Sequence, residues 1–381
     1  MGKKMKMVAV VGGGPVGLYL ARRLQEEGWE TVLLEEHSAI GKPVNCAGLI
    51  SASGVNDLKL NIEDSLVNEI KGARIFSPHN EMLEVKRPRT VAYVIDRELF
   101  DKSLYKQAKE KGVEVRLNTK LIDVRNETLF VEAGTRGELL KAKYVVGADG
   151  VTSKMRNLMG IGTKPSNFVH AYQANIRGNF DKKFVEVYFR DYANDFFAWV
   201  IPESAEVARV GIATSQGNVK AAFDLFVSEK NFSGPFSSKS SALIPIGLPL
   251  KNLIKDNMFL VGDAAFQTKA STGGGVITGI TAAEALCKTI SGYLKDRKPF
   301  SSYYSHLKPL NKELNSHWKI HNFLSKMSED KMDKTFRDIK NAGVEEFLNE
   351  YGDMDRPTQF LGKALTKPSL WKLAPLALRF L

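Results

Sequence analysis

Gly12, Gly14 and Gly17 stand in Gly-x-Gly-x-x-Gly spacing directly after the apolar run Val8 to Val11. That pattern is suited to holding a phosphate. Gly12 permits a tight turn, Gly14 lets the backbone approach a pyrophosphate, and Gly17 lets the following helix pack on the strand. Pro15 suits the first turn of that helix, where its missing N–H costs nothing. The helix N-terminus turns unpaired N–H groups and a partial positive charge toward the diphosphate. Glu35, with Glu36 beside it, ends the next apolar run, Thr31 to Leu34. A carboxylate there can bind the ribose hydroxyls of an adenine dinucleotide. An acid at this point disfavours a 2′-phosphate, so FAD or NAD is expected rather than NADP.

Two cysteines, Cys46 and Cys287, give no disulfide framework and show no metal-ligand spacing, which fits a reducing compartment. Cys46 lies in a polar, Gly-rich loop where a thiol could serve as an acid, a redox group or a packing residue. Cys287 lies on an apolar helical face and reads as core. His317 and His321 have i, i+4 spacing but lack the flanking acid of a metalloprotease pair, so no metal site is expected.

These residues need a large frame. A chain of 381 residues with 43% hydrophobic and 25% charged residues is globular and long enough for two domains. No apolar run is long enough to span a membrane. Lys3, Lys4 and Lys6 precede an apolar stretch, but that stretch is the glycine-rich unit, so no export signal is expected and a cytoplasmic location is. The net charge of +11 suits an anionic membrane surface or an acidic substrate. Basic residues are scattered rather than interleaved with aromatics, which disfavours nucleic acid.

The order of elements defines the fold class. After the first strand-helix-strand unit come strand-like segments near 71–76, 82–85 and 90–95. Asp96 is placed to cap a helix to about Lys111, with Leu99, Phe100, Leu104 and Ala108 at helical spacing. Further strands are expected at 113–117 and 144–148, with a small meander between them. From about 166 to 215 the pattern becomes aromatic and alternating, as in an antiparallel sheet. A buried strand at 258–261 then leads to Gly262-Asp263, and Gly273 to Gly275 open a long apolar helix. The expectation is an α/β chain of two domains. Its Rossmann-like dinucleotide domain is discontinuous, at 1–70, 93–165 and 250–298. A substrate sheet at 71–92 and 166–249 is inserted, and a helical region at 299–381 follows.

Three separated motifs line up on this frame: the glycine fingerprint, Gly147-Ala-Asp149-Gly-x-x-Ser153-x-x-Arg156, and Gly262-Asp263-Ala-Ala before Gly273-Gly274-Gly275. Together they resemble FAD-dependent oxidoreductases of the p-hydroxybenzoate hydroxylase fold group. Pro43-Val-x-Cys46-Ala47-Gly48 and Phe197-x-Trp199-x-x-Pro202 with Val210-Gly211 are similar to the geranylgeranyl reductase branch. The chain departs from that branch at Gln267 to Thr272, where a proline is usual, at Phe197, where tyrosine is usual, and at Glu203, where a basic residue is usual.

The resemblance implies an FAD enzyme that reduces isoprenoid carbon–carbon double bonds, as in digeranylgeranylglycerophospholipid reduction. It implies FAD contacts at Gly12, Gly14, Pro15, Gly17, Glu35, Glu36, Cys46, Ala47, Arg97, Leu121, Asp149, Asp263, Gly274, Gly275 and Val276. Leu121 would use only its backbone, since its side chain has nothing to offer a ribose or phosphate. Cys46 becomes a candidate proton donor, and Trp199 a candidate wall of the lipid cavity. The expected reductant is NAD(P)H or a small electron carrier such as ferredoxin. The leucine- and lysine-bearing tail from Gly362 to Leu381 could lie in a membrane interface at the inner face of the cell membrane, or close over the cavity. The same fold would also serve an aromatic or polyene monooxygenase, an electron-transfer flavoprotein, or a basic membrane-binding protein that keeps FAD as structure.

Overall fold

The computed structural model describes residues 7–364, so the first lysines and most of the C-terminal tail lie outside the described residues. The chain is α/β, with two large sheets. The first is six-stranded, in the order 254–255, 258–260, 144–147, 7–11, 30–34, 114–116. All its pairs are parallel except the first. Val8 pairs with both Tyr144 and Thr31, so the glycine fingerprint leaves the centre of the sheet. The central strands are buried on both faces, which is why they read as unbroken apolar runs. Helix Pro15–Glu26 packs on the long helix Val276–Asp296, where Tyr19 Oη and Arg23 Nε both donate to Glu284, at 2.6 and 2.7 Å.

Helix Arg97–Glu110 begins at the predicted cap, where Asp96 Oδ1 accepts from Leu99 N at 2.9 Å. A three-stranded meander at 119–125, 128–133 and 136–141 precedes strand Tyr144–Gly147.

The second large sheet has seven strands, in the order 237–245, 168–177, 207–214, 198–202, 184–188, 72–76, 82–86. It is mixed rather than purely antiparallel, because 184–188 and 72–76 pair in parallel. These two strands are far apart in sequence and are not joined by a hairpin, so antiparallel pairing is not imposed on them. Strand Thr90 to Ile95 of the sequence reading appears as Ala92–Ile95 and lies outside this sheet, in a small one with 49–51 and 66–70. Helix Val219–Glu229 covers one face of the seven-stranded sheet through Phe223 and Phe226. Helices from Ser302 to Ala364 complete the described chain.

Candidate functional site

The fingerprint is built as its spacing requires. Gly12 has φ +109°, and a Cβ on it would lie 2.3 Å from the Ala148 carbonyl oxygen. A Cβ on Gly17 would lie 2.0 Å from the Gly12 carbonyl oxygen. Gly14 differs: its backbone is ordinary, at φ −76°, and nothing stands within 4 Å of where its Cβ would be. Two glycines therefore close the turn and the third leaves an open cradle at a helix N-terminus, beside Pro15. Glu35 Oε2 accepts from Gly13 N at 2.6 Å and Oε1 from His37 N at 2.8 Å, which fixes its carboxylate at the same turn. Glu36 is exposed and pairs with Lys120 at 3.9 Å.

A cavity of about 840 Å³ runs from this cradle to the underside of the seven-stranded sheet. It brings together Gly14, Pro15, Cys46, Ala47, Arg97 and Trp199 with Asp263, Gly274, Gly275 and Val276. Gly12, Gly17, Glu35, Glu36, Leu121 and Asp149 do not line it. Leu121 is a core residue, although its strand is tied to Glu35 through Thr119 N, which donates to Glu35 O at 2.8 Å. Both oxygens of Asp149 are engaged within the chain, accepting from Ser153 Oγ at 2.6 Å and Met155 N at 2.9 Å. Arg156 of the same motif is buried and bonds Val151 O at 2.7 Å and Ala264 O at 3.3 Å, linking two strand ends.

The charged groups of the cavity wall centre on Arg97 and Asp263. Burial works against the Arg97 guanidinium, but the charge of Asp101 and the nearby Cys46 thiol keep it charged and above its usual range. Arg97 holds Asp101 at 3.2 and 3.0 Å. Burial raises the Asp263 carboxyl, against the Thr268 hydroxyl at 2.6 Å and the Arg97 charge, which lower it. A Cβ on Gly275 would meet Asp263 Oδ1 at 2.5 Å, so only glycine fits beside that carboxyl. Gly275 caps the 21-residue helix Val276–Asp296, whose N-terminus therefore opens on the cavity. An open phosphate cradle, a charged arginine and a second helix N-terminus along one cavity fit an elongated, anionic dinucleotide.

The far end of the cavity is apolar. Trp199 is 7% exposed and stands over Gly211, where a Cβ would lie 2.4 Å from its ring. Phe197 meets Trp199 edge-on with ring centres 6.2 Å apart and stacks on Phe196 at 4.2 Å.

Two features around the cavity escape the sequence reading. Arg209 donates to Ala47 O at 2.7 Å and Ile95 O at 2.9 Å and is held by Glu203 at 2.6 Å, so it fixes the loop that carries Cys46. The signal available was Glu203 itself, an acid where a base is usual. The second is Lys269, a buried cavity residue within the departing stretch Gln267 to Thr272. Cys287 is buried as expected, and burial pushes its thiol up to about 12. Among the described residues one histidine group could bring three ligand atoms together, His79 with Asp330 and Asp333, and it does not line the cavity.

Known proteins share both sequence and fold with this chain. Residues 5–314 match the family described as FAD binding domain. A digeranylgeranylglycerophospholipid reductase from Methanosarcina acetivorans is 32% identical over 313 residues, 74% of this chain and 75% of that protein. Another, from Methanocaldococcus jannaschii, is 29% identical over 388 residues, 96% of each. The crystal structure of a geranylgeranyl bacteriochlorophyll reductase-like protein from Thermoplasma acidophilum shares the fold, with a TM-score of 0.84 at 23% identity over 98% of this chain and 100% of that one. The open cradle, the charged arginine on the cavity wall and these likenesses converge: the chain is an FAD-dependent oxidoreductase and belongs to the geranylgeranyl reductase family.

Proposed function

We propose that the chain hydrogenates carbon–carbon double bonds of geranylgeranyl chains in isoprenoid membrane lipids or their precursors. The observation that carries this reading is the continuous cavity, which joins the cofactor cradle to an apolar chamber walled by Phe197 and Trp199. An uncharged prenyl chain gains from such a chamber by burial alone. FAD, when bound, supplies the hydride chemistry.

The chain's own residues bind, orient and exclude water. Gly12, Gly14, Pro15 and Gly17 shape the diphosphate site, and Glu35 and Glu36 serve the adenosine end. Arg97 and Asp263 line the passage with Cys46, Ala47, Gly274, Gly275 and Val276. Leu121 and Asp149 act from behind, through the backbone and strand ends. Cys46 is the proposed proton donor to the carbon that does not take the hydride, with water as the other source. The proposed reductant is NAD(P)H or a small carrier such as ferredoxin. The setting is cytoplasmic, with peripheral contact at the inner membrane face supported by the charge of +11. Nucleic acid is not a proposed partner.

The test is anaerobic. Chemically reduced, FAD-loaded protein is mixed with geranylgeranylated glycerophospholipid, hydrogen gain in the lipid is followed by mass spectrometry, and flavin reoxidation by absorbance. Coupled gain and reoxidation are expected. A flavin that stays reduced until oxygen is admitted, with the lipid unchanged, would transfer the fold to monooxygenase chemistry. C46S is expected to slow the single turnover roughly 100-fold with FAD content unchanged. Full turnover in C46S would leave water as the proton source.

A further inference from the structure

Among the described residues Lys269 is the only buried lysine. Its side chain is 4% exposed and lines the cavity. It lies directly against the glycine loop, since a Cβ on Gly274 would stand 2.7 Å from its Cε and 3.0 Å from its Nζ. The ammonium pairs with Asp355, which arrives from the C-terminal region, and reaches Met354 O at 3.5 Å. Asp355 also accepts from the Ser51 hydroxyl. Burial alone would raise the Asp355 carboxyl, but Lys269 and Ser51 hold it below the usual carboxylate range. His317 sits beside them, 2.6 Å from Ser271 Oγ, and burial together with the Lys269 charge pushes it down to about 3. The imidazole is therefore neutral at pH 7, and the charges of the cluster are those of Lys269 and Asp355.

Stability does not explain this pair. Burying two ions carries a desolvation penalty that their attraction has to offset, and an apolar pair of the same volume would hold the segment as well. Its place in the cavity gives a reason. Glu35 lies outside the cavity and Gly14 within it. A dinucleotide with its adenosine at Glu35 and its diphosphate at Gly14 has only the cavity for its remaining half, past Asp263 and Gly275. Flavin reduction places negative charge on the pyrimidine edge of the ring, and a nearby protein charge tunes that step.

We propose that the Lys269 ammonium, held by Asp355 against the Gly273 to Gly275 loop, is the positive charge that favours the anionic flavin, and that Asp355 sets how much of it the ring feels. The inference rests on FAD as the cofactor and not on the prenyl substrate, so its test needs no lipid. Sulfite adds through sulfur to N5 of oxidised flavin, leaves negative charge on the pyrimidine and bleaches the visible band. Its affinity therefore reads the positive charge at that edge.

FAD-loaded protein is titrated with sulfite. K269M is expected to bind sulfite about tenfold more weakly, and K269R to stay close to the parent. D355N is expected to bind sulfite more tightly, because it removes the anion that offsets the ammonium. Opposite shifts from the two ends of one ion pair are not expected of a merely structural contact. K269M that keeps its FAD and its sulfite affinity overturns the proposal. If K269M fails to retain FAD, D355N decides alone, and unchanged or weaker sulfite binding in it overturns the proposal.

Discussion

At the scale of single residues, the glycines of the fingerprint have separable roles. A methyl on Gly17 would overlap the Gly12 backbone oxygen, so something in the turn must move. G17A is expected to cost about 1–3 kcal/mol of apoprotein stability, the usual range for overpacking. Gly14 has an ordinary φ and empty space where the methyl would go. G14A apoprotein should therefore melt with the parent, while its FAD affinity falls at least about tenfold, because the methyl occupies the place of a phosphate. Thermal melts without cofactor and FAD titrations by fluorescence read the two effects apart. Loss of stability in G14A would mean that the cradle is structural. These glycines and Glu35 were legible in the sequence because their geometry is local, within one strand-turn-helix unit. Lys269 and Asp355 were not, because they are 86 residues apart and only the tertiary fold joins them. Glu203 was visible as an exception, but its meaning lies in Arg209 and the Ala47 carbonyl, which no spacing rule connects.

At the scale of elements, the C-terminal helices finish the edge of the seven-stranded sheet. The edge strand Met82–Lys86 would present unpaired backbone groups. Helix Val344–Tyr351 covers it, with Glu345 accepting from Glu84 N at 2.7 Å and Asn349 from Lys86 N at 2.7 Å. A second tie lies at the turn before this strand, where Asp333 of helix Glu329–Asn341 accepts from the Ser77 hydroxyl and the His79 ring. A helical region was expected here, but its seat on a sheet edge was not legible, because side chains bonding to a strand backbone leave no periodic signal. The hydrogen bond to Asp333, and then its charge, raise the His79 pKa above the ordinary imidazole value. A raised imidazole contributes stability that is complete below about pH 6.5. That contribution is lost as pH rises through the folded-state value. Burial opposes the Asp333 charge, but Ser77 and His79 hold its carboxyl below the usual range, so its contribution is lost only as pH falls through that depressed value. D333N is expected to return the His79 titration, followed by NMR of the ring, toward the ordinary value. It should also remove the decline in stability above about pH 6.5. A parent His79 that titrates normally would rule out the tie.

At the scale of the whole molecule, the cofactor cavity belongs to no single layer. Gly14 and Asp263 follow strands of the six-stranded sheet, Trp199 comes from the seven-stranded sheet, and Leu348 and Phe360 come from the C-terminal helices, with Met354 from the loop between them. Further ties cross the same boundaries, since Asp355 joins Lys269 and Ser51, and Arg356 joins Asp57. A ligand that fills this cavity stabilises all three regions at once, because each loses part of its wall if another opens. FAD at about 1,000 times its Kd adds about 4 kcal/mol to the folded state. Unfolding entropy near 2.1 cal/mol/K per residue gives about 0.8 kcal/mol/K for 381 residues. The expected rise in Tm is therefore about 5 °C, in one transition that moves as a whole. Calorimetry of the apoprotein and of the FAD-loaded protein checks this. Two transitions, with only the earlier or only the later one responding to FAD, would show that the helical C-terminal region folds by itself. The walls contributed by Leu348 and Phe360 would then be a loose cover, and substrate access would depend on that region opening. A single shifted transition would show that the C-terminal region and the two large sheets unfold as one cooperative unit, with the cofactor cavity as the wall they share.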